Sequence, residues 1–343
     1  MIYINKSRVI TREEWGIIID QLGVADKLRN ASTVVIKPNF AAGTYVDPQT
    51  HVMTDQDLLR STIEFVHAEN KTADIFIAES DSTGYGFAFL KFEHLELPGS
   101  LNLSDEAGEK VRLLDMSRDR LERVEDKRFR RYVNVDSQLW LSKTLVESGF
   151  TIDLSNLKTH TVTGYTGACK NLFGCLPDFE KYHNHPYIHK TIHDLVIAIH
   201  PDLCVVDAFY GMEKNGPVQG IDVDTGYRVF SNDPVEADIY AATTIGYNPK
   251  NVKYIRLLCK TQCRNFETDA KLVKKYQRAG VFVRTMNTIG LFIQRCGHGI
   301  ETFGQRIHTC HNFLNLCITI ARPILLKLFD YEKLKEMKRK IIK

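Results

Sequence analysis

Phe150-Thr-Ile-Asp-Leu154 is a short apolar run of strand-forming residues, and it feeds directly into Ser155-Asn-Leu-Lys-Thr-His160. Downstream lie Gly164-Tyr-Thr-Gly167-Ala-Cys-Lys170-Asn171, then His183-Asn-His185, His189 and His193. Residues 155–193 gather five imidazoles, four lysines and two cysteines, interrupted by glycines. A packed core has no use for so many polar groups unless each is satisfied. Glycine, in turn, lets backbone approach a ligand closely. The stretch reads as a strand that opens into a site.

Working outward, residues 1–258 alternate strand-like and helix-like segments. This predicts an α/β fold with a mostly parallel sheet and helices on both faces. Thr33-Val-Val-Ile-Lys37, Asp74-Ile-Phe-Ile-Ala78, Lys110–Asp115, Arg131–Val135 and Leu203-Cys-Val-Val-Asp207 are the other expected strands. The charged stretch Ser117–Arg130 between two of them is expected to be a solvated excursion. Helical spacing marks Asp55–His67 and Ile188–Ile199, and Asp233-Pro234 reads as an N-cap followed by proline at the first helical position.

Polar groups then fall at the strand ends. Lys37 and Asn39 follow one strand, Glu79, Ser80 and Asp81 another, Asn156, Lys158 and His160 a third, and Asp207 a fourth. In open α/β sheets the carboxyl ends of strands converge on one crevice, where ligands bind. The alternative for an acid or amide in such a place is that it caps the next helix. Asp81-Ser-Thr-Gly84-Tyr-Gly86 and Gly164-Tyr-Thr-Gly167 can wrap phosphate or carboxylate with backbone N–H groups. Neither is a Walker A or Gly-x-Gly-x-x-Gly sequence, so ordinary P-loop or Rossmann binding is not supported. His183 and His185, with His189 and His193 spaced i, i+4, are candidate metal ligands. No His-Glu-x-x-His and no Gly-x-Ser-x-Gly occurs, which argues against a zinc peptidase or a serine hydrolase.

The chain has 343 residues, eight cysteines without a Cys-x-x-Cys pair, and a net charge of +3. Reduced thiols are expected, and the N-terminal residues lack a signal-peptide pattern, so the expected location is cytoplasmic. From Thr261 onward, 16 Lys and Arg face 6 Asp and Glu, so the preceding residues carry a net negative balance. This divides the chain into an α/β domain, 1–258, and a helical, basic, partly hydrophobic appendage, 259–343. Ala270–Ala279 reads as helical, and Phe313–Phe329, the most apolar segment, is interrupted by Arg322-Pro323. That segment is shorter than the ~20 uninterrupted apolar residues of a membrane span. Residues 285–343 either pack on their own domain, lie at a membrane surface or form an oligomer contact. Nucleic-acid binding is not expected, because no recognised module precedes the basic tail.

Six blocks occur in order: Ile36-Lys-Pro-Asn39, Asn156-Leu-Lys-Thr-His160, Gly164-x-Thr-Gly167-Ala-x-Lys170-Asn171, Val206-Asp207-Ala, Met212-Glu213-x-Asn215-Gly-Pro217 and Asp233-Pro-Val-x-x-Asp238. Over roughly residues 30–250 the chain therefore resembles the domain of unknown function 362 family. Many members carry a ferredoxin-like module, but its cysteines are absent here, so no iron–sulfur cluster is expected. The His160-to-Lys170 segment is also similar, more distantly, to the lactate racemase family, whose members hold a nickel-pincer nucleotide. That likeness implies Lys170 as the cofactor anchor, His185 or His183 as the metal ligand, and His160 as proton shuttle. The cofactor would be a nickel-containing nucleotide or another divalent metal. From the residues themselves, the expectation is an enzyme-like protein binding an anionic small molecule. Lys37, Asn39, Ser80, Asp81, Asn156, Lys158, Gly164, Gly167, Lys170 and Asn171 would line that site, with His160 and Lys170 as catalytic groups. Isomerase, racemase or redox chemistry on a hydroxy-acid or sugar-like substrate is the narrower expectation. The alternative is a non-catalytic scaffold held peripherally at a membrane surface through residues 285–343.

Overall fold

The computed structural model describes residues 1–40, 51–81, 96–132, 138–178, 181–217, 220–281, 283–285 and 288–289. The loop at 82–86, most of 285–343 and the His183 side chain, all named above, lie outside the described residues. Met1–Asn287 forms one compact unit, which includes residues 259–281.

In chain order the elements are β1 (Ile2–Asn5), α1 (Arg12–Leu22), α2 (Ala25–Arg29), β2 (Thr33–Pro38), α3 (Gln56–Glu69), β3 (Asp74–Glu79), α4 (Asp105–Lys110), β4 (Val111–Asp115), β5 (Leu121–Val124) and β6 (Leu139–Ser142). There follow α5 (Lys143–Val146), β7 (Phe150–His160), β8 (Gly164–Thr166), α6 (Ala168–Asn171), α7 (Ile188–Ile199), β9 (Leu203–Glu213), β10 (Ile221–Asp224), β11 (Arg228–Ser231), α8 (Pro234–Thr244) and α9 (Lys253–Thr261). The main sheet runs β1-β11-β9-β7-β2-β3-β4, with β10 on β9 and β8 on β7. Its centre, β9-β7-β2-β3-β4, is parallel, while β11 and β1 add antiparallel strands at one edge.

Hydrophobic residues cover both faces of the sheet. On one, α1 brings Trp15, Ile18, Ile19 and Leu22 against Ile36, Ile75 and Phe150. Trp15 is held between Phe65, stacked at 5.4 Å, and Phe230, edge-on at 5.4 Å. The helix starts at a capping box, Thr11 with Glu14, which satisfies two otherwise orphaned N–H groups. On the other face α6 to α9 pack against Val35, Leu157 and Val206, and α7 contributes Ile188, Ile192, Leu195 and Val196. Full burial of each such side chain is worth about 1.5–3 kcal/mol. The result is three layers, as the alternating pattern predicted.

One feature of the strand order positions the site. After β2 the chain adds β3 and β4 on one side, then returns to lay β7 on the other and continues to β9. β2 and β7 are thus neighbours that belong to separate windings, and the gap beyond their carboxyl ends is the topological switch point. β7 is also longer than its apolar start suggests. Its first half pairs with β2, Lys37 opposite Asp153 and Pro38 opposite Leu154. Its second half runs past the end of β2, paired with β9 and with the returning hairpin strand β8. Lys37, Asn156, Lys158 and His160 therefore lie within strands, not after them.

Two local expectations are corrected. Ser117–Arg130 is not wholly loop, because β5 lies inside it and pairs antiparallel with β6. Ala270–Ala279 is not helical. There the backbone donors are taken by other elements: Val273 and Lys274 N–H donate to Thr244 O, Tyr276 N–H to Ile245 O, and Gln277 N–H to the Glu213 carboxylate. Of the expected strand Arg131–Val135, only Arg131 and Tyr132 are described; both are irregular, and their N–H groups donate to the Asp194 carboxylate.

Candidate functional site

The expected residues fall into two groups that meet at α6. The first surrounds Lys37. This lysine is 1% exposed, donates to Glu79 Oε2 at 3.1 Å and to Pro38 O at 2.6 Å, and sits in register with Asp153. Burial drives the Asp153 carboxyl well above the usual carboxylate range, against the Asn171 amide, which donates to Asp153 Oδ1 at 2.7 Å, and against the charge of Lys37. Asp153 Oδ2 is buried with no hydrogen-bond partner. Ser80 Oγ lies at 2.7 Å from Leu176 O, and Lys181 Nζ donates to Gly174 O at 3.1 Å and also contacts Ser80 Oγ. Ser80 thus ties the end of β3 to the turn after α6. At Gly174 a Cβ would stand 2.9 Å from Lys37 Nζ and 3.1 Å from Glu79 Oε1, so a larger residue there would have to displace that ion pair. Asp81 is fully buried, its backbone N–H donating to Ser117 Oγ.

The second group surrounds His160 at the tip of β7. Burial pushes this imidazole well below its ordinary pKa, and the charges of Lys170, His185, His189 and Lys158 push it the same way. His160 Nδ1 accepts two backbone N–H groups of the β7–β8 turn, from Val162 at 3.0 Å and Thr163 at 3.2 Å. An imidazole that accepts at Nδ1 carries its proton on Nε2. Lys170, on α6, is pushed down to about 8 by burial. Its Nζ sits 5.7 Å from the centre of the Phe173 ring, and His185 meets the same ring edge-on at 5.6 Å. His189 stacks on Tyr254 at 6.1 Å. His193 belongs elsewhere: it is fully buried between Asp194 and Thr261.

Across the switch point lies the segment 52–54. Thr54 Oγ1 donates to Leu154 O at 2.9 Å and accepts from Asn39 N–H at 2.7 Å, while Asn156 Nδ2 donates to Met53 O at 3.2 Å and Lys158 Nζ to Val52 O. Asn156 Oδ1 is buried without a hydrogen-bond partner. Asp207, at the same level on β9, is pushed up by burial although Arg228 Nε stands 3.2 Å away.

The two glycines of the 164–167 loop have local explanations. Gly164 has φ +80°, a backbone region that favours glycine. Gly167 allows close approach, since a Cβ there would lie 2.2 Å from Asp238 Oδ1. Asp238 Oδ1 accepts from Ala168 N–H at 2.7 Å and Tyr165 O–H at 3.2 Å, and Oδ2 from Cys169 N–H at 3.1 Å. The amides at the start of α6 are therefore already engaged by a protein carboxylate. Burial lifts Asp238 to about 7. Cys169 is no activated nucleophile: burial and then Asp238 push its thiol well up.

Sequence reasoning missed Asp153, Lys181 and Asp238 as parts of this region. A lone acid inside the apolar run 150–154 was the available signal for Asp153; nothing in the spacing connects Asp238 to α6. Among the described residues no group of three His, Cys, Asp or Glu side chains is arranged to hold a metal ion.

Comparison with known proteins gives three findings. A thylakoid-associated protein of Synechocystis sp. is 29% identical over 123 residues, which span 34% of this chain and 38% of that protein. The lactate racemase apoprotein from Thermoanaerobacterium thermosaccharolyticum aligns with TM-score 0.43 and 11% identity over 69% of this chain and 55% of that one. The chain thus spans well under two thirds of either relative. By the family model that matches residues 34–243, the chain belongs to the family described as Domain of unknown function (DUF362).

Proposed function

We propose that the chain is an enzyme that holds an anionic ligand, carboxylate- or phosphate-bearing, at the tip of β7. The observation that carries this reading is that Lys170 Nζ and His185 border one ring, Phe173, near the tip of β7, where burial first and then Lys170, His185, His189 and Lys158 disfavour charge on His160. A region where charged imidazole is disfavoured by neighbouring cations is one where a bound anion is favoured. Lys170 supplies the charge and, near pH 8, a substantial uncharged fraction able to form a covalent bond. His160 presents Nε2–H to the ligand.

The racemase likeness implies a lysine-tethered nickel nucleotide, and the residues fit it in part. Lys170 suits a tether, because burial keeps its amine nucleophilic, and His185 borders the same ring, Phe173. His160 does not suit a proton shuttle: with Nδ1 engaged by two N–H donors it has no lone pair to offer. No reaction step through that group follows. Isomerase or redox chemistry on a hydroxy acid remains the narrower proposal, with Lys170 and His185 as its holding residues. The test is intact mass and metal content of protein purified from its native host. An adduct mapped to Lys170, absent from folded Lys170→Ala protein, is the expected result; unmodified Lys170 with neither metal nor bound anion overturns the proposal.

A second reading, a protein held at a membrane surface, draws on the Synechocystis relative's name and on Lys271-Leu272-Val273-Lys274-Lys275. There Leu272 and Val273 are 61% and 54% exposed between lysines. No helix among the described residues is long and apolar enough to cross a membrane. Co-sedimentation with phosphatidylglycerol vesicles, abolished when the three lysines are changed to glutamate, supports it; equal sedimentation of the variant counts against it.

A further inference from the structure

A cleft of about 420 Å³ opens on the opposite side of the fold, beside the second half of α3. Because α3 carries the chain back toward the amino end of β3, this half of the helix lies far from the strand tips. Arg12 at the start of α1, Arg60 on α3 and Lys71 just beyond it line the cleft, while Ile10, Phe65 and Ala68 give it an apolar wall. Its one acidic lining residue, Glu64, accepts from the backbone and hydroxyl of Ser104, which also lines the cleft.

His67 also lines the cleft, and it is the group that the fold does not explain. It is 5% exposed; Nδ1 has no hydrogen-bond partner, and Nε2 has only the Glu106 carboxylate, at ion-pair distance. That carboxylate stands 3.7 Å from Nε2, too far for a hydrogen bond, and is itself engaged by Lys71 at 2.9 Å. A buried imidazole with an unpartnered Nδ1 and one long contact to an exposed carboxylate costs free energy unless a ligand completes it. The acidic partners of Arg12 and Arg60, which are Glu69 at 4.0 Å and Asp57 at 3.0 Å, do not line the cleft. Glu106, the partner of Lys71, is likewise outside the lining, where Arg12, Arg60 and Lys71 stand against Glu64 alone.

We propose that this cleft binds a small phosphate ester: the phosphate between Arg60, Lys71 and the His67 ring, the short carbon body along Ile10 and Phe65. Its size is that of a small-molecule site. The inference is independent of the strand-tip reading.

The experiment is calorimetric titration of the full chain with glycerol 3-phosphate, inorganic phosphate and glycerol at low salt. Glycerol phosphate should bind more tightly than phosphate, and glycerol not at all. Arg60→Gln and Lys71→Gln should each weaken binding by roughly 5- to 10-fold, as expected for partly exposed charge-assisted contacts. His67→Phe, which keeps the packing and removes both nitrogens, should weaken it comparably, and His67→Gln serves where the phenylalanine variant does not fold. The titration is repeated in a Lys170→Met background, where heat from the strand-tip site is removed and the component that depends on Arg60, Lys71 and His67 should remain. No binding at millimolar concentration in the Lys170→Met background, or affinity there indifferent to Arg60 and His67, overturns the proposal.

Discussion

The uncharged fraction of Lys170 is the property on which the strand-tip chemistry turns, and it can be measured without knowing the ligand. Burial lowers this amine from 10.5 to about 8. Near pH 7.5 roughly a quarter of such amines are neutral, against roughly one in a thousand for an ordinary lysine. Lower basicity takes back about a factor of ten or more of that advantage, so acetylation at Lys170 should run roughly 10- to 25-fold faster than at an exposed lysine. The assay is brief acetic anhydride treatment across pH 6–10, with each lysine followed by peptide mass spectrometry. Lys170 should show half-maximal reactivity near pH 8. The same displacement has a stability consequence. The pKa in the fold lies below the unfolded value, so stability rises with pH between about 8 and 10.5, and below 8 the fold bears the burden of a buried charge. Allowing for the solvent that reaches this partly exposed side chain, Lys170→Met should stabilise the protein near pH 7 by on the order of 2 kcal/mol, with no gain above pH 10.5. A reactivity midpoint above pH 10, or a variant less stable than wild type at neutral pH, refutes the argument.

Three other outcomes follow from the same geometry. Glu79→Ala leaves Lys37 buried and uncompensated and should cost about 3–5 kcal/mol in urea unfolding, more than an ordinary surface substitution. Gly167→Ala drives a Cβ into Asp238 and Tyr165 Oη and should destabilise by more than about 2 kcal/mol; an unchanged Tm would show that the loop does not approach Asp238 as described. Asp238, lifted to about 7, is protonated in the fold before it is in the unfolded chain, so its contribution to stability falls as pH rises from about 4 to 7. Asp238→Asn should remove that decline, seen as a flatter plot of unfolding free energy against pH; an unaltered slope would place the decline on other groups.

The three-layer fold was legible in the sequence wherever one physical signal dominated. β2 and β3 are β-branched runs, α7 has an apolar stripe, and α8 announces itself through Asp233 and Pro234. The length of β7 was hidden because its second half is polar: Asn156, Lys158 and His160 look like loop residues, yet they are strand residues buried by β8, β9 and the segment 52–54. Residues 270–279 failed for the opposite reason, since local spacing suggested a helix while Thr244, Ile245 and Glu213 captured the backbone donors. Within the site, the nearness of His160 to Lys170 could be read from ten residues of spacing. The role of Asp238 could not, because its partners lie some seventy residues away and are joined to it only by folding. The same holds for the pairing of Lys37 with Glu79, forty-two residues on, which only the fold brings together.

The account rests on Lys170 and His160 facing one anion site, and nuclear magnetic resonance of protein labelled with ¹⁵N at histidine and lysine addresses that directly. Titration with lactate and with inorganic phosphate should move the His160 Nε2 and Lys170 Nζ signals along a single saturation curve, with the Lys37 signal still. Separate curves for the two groups, or no response from either at high millimolar anion, would contradict it.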